Sequence, residues 1–309
     1  MHELLPLSWT RIACLRPVYR DVTLPLSRTR RITNADIPRD YTLQILYEDL
    51  TVSYPDGYVF RGCTPETGAY FAANNGKVMR TGAEAVLDLN GPHLERKTVQ
   101  SSLVRGKKQG VVEEIVLSDL NRKHFEQFRR ETKHADKPQL QYLFRAAPSR
   151  ECRCFVFRAF SGQWLAAITI SKRGRAEVHT ELMLRHRNAP GDIMECLVAG
   201  IFGILRDEGI REWSLSEVPF IMLMQSSREP LTQMEQLMVS IISRCRHAYD
   251  FEGLYRFKNK FEPIWRPVML CTNTEPTPVM LMELASSMGF TNLLLHESFA
   301  FITQIIKSA

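Results

Sequence analysis

The sequence predicts an α/β fold built on a mixed sheet. Strand-like and helix-like segments alternate cleanly in the second half of the chain, and several strand-like segments stand side by side with no helix between them. The composition is that of an ordinary globular protein, with 309 residues, 44% hydrophobic and 24% charged. A chain of this length leads to an expectation of about two domains of ~150 residues each. These values exclude a disordered tail, a collagen-like fibre and a multi-span membrane protein.

Taken in order, residues 1–40 are rich in Arg and Pro and predict little regular structure. Tyr41–Ala72 reads as short strands: TLQILY and GYVFRG are β-prone, with Pro55-Asp56-Gly57 as a turn between them. Gly76–Leu89 is a turn followed by a strand. Leu94–Gly110 predicts a basic helix ending at Gly110, and Ser118 an N-cap for a helix to about Thr132. Cys154–Phe160 and Trp164–Ser171 read as a hairpin around Ser161-Gly162, followed by a strand at Glu177–Arg185. Ile193–Glu208 is an apolar helix stopped by Gly209, Glu212–Val218 a strand, Leu231–Arg246 an amphipathic helix and Pro267–Thr272 a strand. Thr277–Met288 is a helix closed by Gly289, and Phe290–Ile306 reads as sheet-like. The organisation expected is an N-terminal extension (1–40), a first domain (41–135, with the basic helix at 94–110) and a second domain (136–309).

Lys and Arg number 40 against 34 Asp and Glu, a formal charge of +6 that favours anionic partners. Pro6, Arg11, Arg16 and Pro17 break any secretory leader. The longest apolar stretch, Ile193–Leu205, contains Glu195 and falls short of the ~20 residues of a membrane span. The seven scattered cysteines read as reduced thiols of a cytoplasmic protein. Cys152 and Cys154 would share one strand face as small buried residues, so no metal site is expected. No dinucleotide fingerprint, phosphate loop, zinc-protease or serine-hydrolase motif is present. The acyl-CoA pyrophosphate loop is also missing, since Arg185–Asp192 carries Pro190 and Asp192 where bare backbone donors would be needed.

Three segments together resemble one family. Tyr249–Leu270, YDFEGLYRFKNKFEPIWRPVML, resembles Y-x-F-x-G-L-x-x-F-K-x-K-F-x-P-x-W. Leu182–Pro219 resembles a D-L-M-R strand, a P-x-G-x-M-D helix start and a G-x-x-x-F-N-L-G-x-A-P strand. Gly82-Ala83-Glu84-Ala85 with Asp88-Leu89, followed by Lys97 and SLVRGKKQG, resembles G-E-E-A-x-x-D-L and the basic helix after it. The family is that of the catalytic domain of the lysylphosphatidylglycerol and alanylphosphatidylglycerol synthases. The resemblance implies tandem acetyltransferase-like (GNAT) domains with mixed sheets, joined by the basic helix, with the second domain catalytic. It implies transfer of an aminoacyl group from charged tRNA to phosphatidylglycerol or another hydroxyl or amine acceptor, with no cofactor beyond the aminoacyl-tRNA donor. With no span predicted, such an enzyme would reach anionic lipid as a peripheral protein at the inner face of the membrane.

An aminoacyl ester is already activated. The chemistry needs alignment of the acceptor, removal of its proton and stabilisation of the tetrahedral oxyanion. Arg185, Lys258 and Lys260 are the candidate cations. Arg185 is otherwise a strand-end residue in solvent, and the lysines otherwise snorkel. Glu181 is the candidate carboxylate, because Leu182 stands where the family has Asp. On a regular strand that one-residue offset turns Glu181 to the opposite face unless a bulge intervenes. Ser214, Ser216 (where the family has Gly), Glu217, Glu195, Tyr249 and Asp250 are candidate substrate contacts. Glu195 is also a first-turn acid favoured by its helix dipole. Arg96, Lys97, Arg105, Lys107 and Lys108 form a cation run for tRNA phosphates or lipid head groups, or simply a solvated face. Two further readings stay open: a non-catalytic relative that binds RNA or a membrane surface, and an acyltransferase with another activated donor.

Overall fold

The computed structural model describes residues 5–138, 140–141, 152–224, 230–244 and 249–298. The first part of the chain gives β1 (Thr10–Ile12), β2 (Val18–Thr23), β3 (Arg30–Pro38), α1 (Leu43–Ser53), β4 (Tyr58–Cys63), α2 (Pro65–Ala73), β5 (Lys77–Asp88) and α3 (Lys97–Gly106). There follow β6 (Gly110–Ile115), α4 (Asp119–Arg130), β7 (Cys152–Ala159), β8 (Trp164–Lys172), β9 (Glu177–Arg185), α5 (Ile193–Asp207) and β10 (Glu212–Pro219). The chain continues with α6 (Ile221–Met224), α7 (Gln233–Arg244), α8 (Phe251–Asn259), β11 (Ile264–Thr272) and α9 (Pro278–Ser287).

All of these strands form one 11-stranded sheet in the order β1-β3-β4-β11-β5-β10-β9-β8-β7-β6, with β2 on the outer side of β3. The sheet is mixed, as expected. β1–β3, β3–β4 and β9–β10 are parallel and the remaining pairs antiparallel. β11 lies between β4 and β5, and β5 pairs with β10, so one sheet runs through both parts of the chain. β6 and α4, on the N-terminal side of the expected 135/136 boundary, pack with β7 and β8.

The two faces of the second part are filled by different helices. Phe155, Phe157, Ala166, Ile168 and Ile170 meet the buried side of α5, with Leu197, Ile201 and Leu205 fully buried. Each such side chain contributes roughly 1.5–3 kcal/mol. The alternate residues Cys154, Val156, Trp164 and Ala167 meet Phe125 and Phe128 of α4. That alternation follows from the period-2 geometry of a strand buried on both faces. In the first part, Leu46 and Leu50 of α1 and Phe71 of α2 pack on Ile32, Tyr58, Phe60 and Trp9.

Three sequence expectations are corrected. Residues 5–40 are not irregular: they supply β1–β3, and Trp9, Leu24, Ile32 and Ile37 are buried. The charged residues of β2 lie on an edge that is half exposed, and Arg31 and Asp36 are buried on β3, so composition hid the strands. Within Tyr41–Ala72, TLQILY is helix rather than strand, and so is the segment of α2 that begins at Pro65. Thr42 Oγ1 caps α1 by accepting from the Ile45 amide, and Leu43, Leu46 and Leu50 bury one helical face. Residues 290–298 are helical, not sheet-like; the remaining residues of that stretch, 299–306, lie outside the described residues, as does Cys245. Among the described residues no single helix is long and apolar enough to cross a membrane.

Candidate active site

The centre of the molecule is a place where two strands part. β9 and β10 pair in parallel only at Glu177–His179 against Glu212–Ser214. Beyond these residues β9 continues to Arg185 and β10 to Pro219 without pairing to each other. Both strands bulge at the point of divergence. Against β5 the register of β10 jumps from Ser214↔Val86 to Glu217↔Glu84, which leaves one residue extra. Ser216 takes the left-handed conformation, φ 71°, and donates its amide to Ser214 Oγ at 3.1 Å. A positive φ is the reason a glycine suits this position. In β9 the register against β8 jumps from Ile170↔Thr180 to Thr169↔Leu182, so Glu181 is the additional residue. That bulge brings Glu181 onto the same face as Leu182: Glu181 bonds Ser171, and Leu182 packs on the α4 side, where Ala167 also lies. Glu181 and Leu182 therefore share a face, which a regular strand would not allow.

Lys258 reaches this opening from α8. Asp250 caps that helix, its Oδ1 accepting from the Gly253 amide at 2.7 Å, and Phe257 and Phe261 seat it on the main core. Lys258 is only 2% exposed. Its Nζ donates to the carbonyls of Ser216 at 2.9 Å and Glu217 at 3.0 Å. Burial lowers its pKa to about 7, opposed by the charge of Glu84. Desolvation disfavours the charged form of this amine, which suits a group that lends and takes back a proton.

A buried polar layer surrounds the opening. Glu84 is held by Arg173 Nη1 at 2.8 and 3.0 Å, and both side chains are 3% exposed. Arg173 Nε also donates to the Leu5 carbonyl at 2.6 Å, and Ser214 Oγ lies 3.4 Å from Glu84. Glu181 accepts from Ser171 Oγ at 2.7 Å and Ser8 Oγ at 2.9 Å, and lies 3.1 Å from His179 Nε2. The N-terminal segment thus closes over this layer. Glu217 is paired with Arg61 and accepts from Thr81 Oγ1 at 3.1 Å. Burial pushes the Arg61 guanidinium down to about 10 and the Tyr249 phenol up, each charge tempering the other.

The residues singled out by sequence separate into groups. Lys258, Ser214, Ser216 and Glu217 come together at the β10 bulge, and Glu181 stands on the facing strand. Arg185 ends β9 half-buried, its carbonyl accepting from the Lys133 amide at 3.0 Å. Lys260 goes elsewhere: its Nζ meets Glu195 Oε1 at 2.5 Å and ties the end of α8 to the first turn of α5. Glu195 is 2% exposed, and its Oε2 has no hydrogen-bond partner among the described residues. Tyr249 packs against Phe251, with ring centroids 4.6 Å apart. Two members of the cation run are paired, Arg105 with Asp192 at 2.6 Å and Arg96 with Glu262 at 3.4 Å. Lys97, Lys107 and Lys108 are exposed and make no ion pair among the described residues. Sequence reasoning missed Arg61, Arg173 and His179 as neighbours of the site. Glu84 stood in a quoted motif without a role.

The family model described as phosphatidylglycerol lysyltransferase, C-terminal, matches residues 48–272. Among solved structures, L-PGS from Bacillus licheniformis is similar at 19% identity, with a TM-score of 0.66 over 89% of this chain and 86% of that one. A C-terminal domain described as that of a lysylphosphatidylglycerol synthetase, from Agrobacterium fabrum, is similar at 18% identity, with a TM-score of 0.66 over 87% and 84%. FemX is similar at 8% identity, with a TM-score of 0.52 over 82% and 83%. At these identities the likeness is one of fold. No curated protein matches the sequence.

Proposed function

The chain belongs to the phosphatidylglycerol lysyltransferase C-terminal family, and on that premise we propose that it moves an aminoacyl group from charged tRNA to phosphatidylglycerol or another hydroxyl or amine acceptor. The observation that carries this reading is Lys258, buried where two strands part with its Nζ on the Ser216 and Glu217 carbonyls.

In the reaction the acceptor oxygen or nitrogen attacks the ester carbonyl carbon. The new bond forms, the carbonyl oxygen becomes an oxyanion, and the 3′ oxygen of the terminal adenosine leaves with its electron pair. The proton lost by the acceptor ends on that leaving oxygen. Two of the Lys258 protons are engaged by the Ser216 and Glu217 carbonyls. The third proton of the ammonium remains for a substrate oxygen, where a desolvated donor is most effective. Arg185 adds positive charge at the end of β9, where an anionic substrate group would enter. Lys97, Lys107 and Lys108, exposed and outside ion pairs among the described residues, are available to phosphate.

A second reading, a relative that binds without catalysing, draws on one observation. Glu181 is already engaged by Ser8 and Ser171, so it offers no open carboxylate to a substrate ammonium. The experiment that separates the two incubates purified protein with labelled aminoacyl-tRNAs and detergent-dispersed cell lipid. Label in the lipid phase, or accelerated deacylation, supports transfer. No product and no deacylation with any tRNA overturns it.

A further inference from the structure

The carboxylates around Lys258 are already engaged by donors of this chain. Glu84 stands on β5, Glu217 on β10 and Glu181 on the facing strand β9, and all three are buried. Arg173 neutralises Glu84 and Arg61 neutralises Glu217. The two oxygens of Glu181 accept the hydroxyls of Ser171, at 2.7 Å, and Ser8, at 2.9 Å. Ser8 is fixed there by its neighbours: the Leu7 amide donates to the Gly62 carbonyl at 2.9 Å, and Trp9 is buried. At the end of α8, Lys260 takes Glu195. The charges left over are positive: Lys258 itself, and Arg185, which makes no ion pair among the described residues.

We infer that the aminoacyl group this site accepts carries no positive charge on its side chain. The inference rests on the proposed transfer, which sets the ester carbonyl at the Lys258 ammonium. A lysyl or arginyl side chain would extend from there among Glu84, Glu181 and Glu217, where each carboxylate already has its donors. Its cation would have to displace one of them or lie beside Lys258, and a like charge disfavours the charged form. The α-amine that every donor brings is a smaller demand. It titrates at about 7.7–8.0 and can be bound neutral near pH 7, whereas a lysine amine titrates near ~10.4. Discharging the lysine amine at pH 7 weakens binding by up to on the order of a thousandfold. Ser8 and Ser171 are then specificity-determining residues. They fill Glu181 with hydroxyls, where Glu84 and Glu217 have guanidinium groups, and so close the carboxylate that a cationic side chain would otherwise reach.

The test is calorimetric binding of 3′-aminoacylamino-3′-deoxyadenosines, hydrolysis-resistant mimics of the donor end, to the full chain at pH 7. The alanyl and norleucyl analogues are expected to bind, and the lysyl analogue at least about 30-fold more weakly. Norleucine has the length of lysine, so the difference reads charge and not size. In the Ser8→Ala, Ser171→Ala double variant the lysyl analogue gains about tenfold on the norleucyl one, as Glu181 is freed. Lysyl binding equal to norleucyl overturns the inference. So does equal weakness of both against alanyl, or no binding of any analogue. An unchanged ratio in the folded double variant also overturns it, and if that variant does not fold the wild-type comparison decides alone. With charged tRNAs and dispersed lipid, transfer of lysine in preference to uncharged residues overturns the inference and leaves the transfer reaction standing. Selective binding with no transfer from any tRNA leaves the charge selection standing and removes the reaction.

Discussion

The ammonium of Lys258 donates to the carbonyl of Ser216 at 2.9 Å, and Ser216 is the residue whose φ of 71° lets β10 bulge away from β9. A side chain from α8 therefore holds the strained backbone that opens the site. A left-handed conformation costs a residue with a Cβ about 1–2 kcal/mol. Because Ser216 Oγ has no hydrogen-bond partner among the described residues, the side chain returns none of that cost. Ser216→Gly is expected to raise unfolding stability by about 1 kcal/mol, read by urea denaturation. A loss of stability would show that the hydroxyl has a role the geometry does not reveal.

The two lysines of the Lys258-Asn259-Lys260 segment are expected to behave differently. Lys258→Met lowers transfer by at least about 100-fold, the usual scale for a proton-handling group. Lys260→Met leaves the buried Glu195 without its ion-pair partner and lowers stability by about 1–3 kcal/mol, while transfer stays within severalfold of wild type. Lys108→Ala, on an exposed residue far from the bulge in sequence, changes transfer by detergent-dispersed assay least of all. Equal small effects from all three would reject the role given to Lys258.

The pH dependence of stability has a defined sign. Burial lowers the folded pKa of Lys258 to about 7, whereas an unfolded Lys titrates near ~10.4. Between those values the unfolded chain holds a proton that the native protein has released, so stability rises with pH across this window. The difference between wild type and Lys258→Met, measured by denaturant titration at several pH values, isolates this contribution. A difference that does not grow from pH 7 upward contradicts the burial of the amine. Transfer that depends on the ammonium falls over the same window.

Glu84 and Arg173 form a buried pair, each 3% exposed, and Arg173 also holds the Leu5 carbonyl. Removing one partner leaves a charge stranded in the interior. Arg173→Met is expected to cost about 3–5 kcal/mol, much of it recovered in the Glu84→Gln, Arg173→Met double variant. Hydrogen exchange at the amides of residues 5–9 should quicken in the single variant. Additive effects in the double-mutant cycle would show that the two groups are not coupled.

The alternation of the second half was legible because strands buried on both faces and helices with one apolar side leave distinct periodicities, as in β7, β8 and α5. The first half was harder. The β-prone residues of TLQILY outweighed the helical spacing of Leu43, Leu46 and Leu50, and the charges of β2 belong to an edge that stays half in solvent. The motif around Lys258 was legible, but the choice between Lys258 and Lys260 was not. Both have aromatic neighbours in sequence, and only the passage of β10 over α8, some forty residues away in the chain, buries one and leaves the other 47% exposed. The bulge at Glu181 is likewise fixed by its partner strand β8, which a single strand's sequence does not encode.

The position of β11 also dictates the order in which the protein can be made. β4 and β5 follow one another in the chain, yet each completes its pairing only with residues 264–272. A ribosome adding about 5–20 residues per second exposes both bare edges for many seconds before their partner emerges. Both edges therefore stay open to wrong pairing until residues 264–272 emerge. A fragment cut at residue 135 would carry sticky strand edges and precipitate, and any viable split of this chain must keep β11 with β4 and β5.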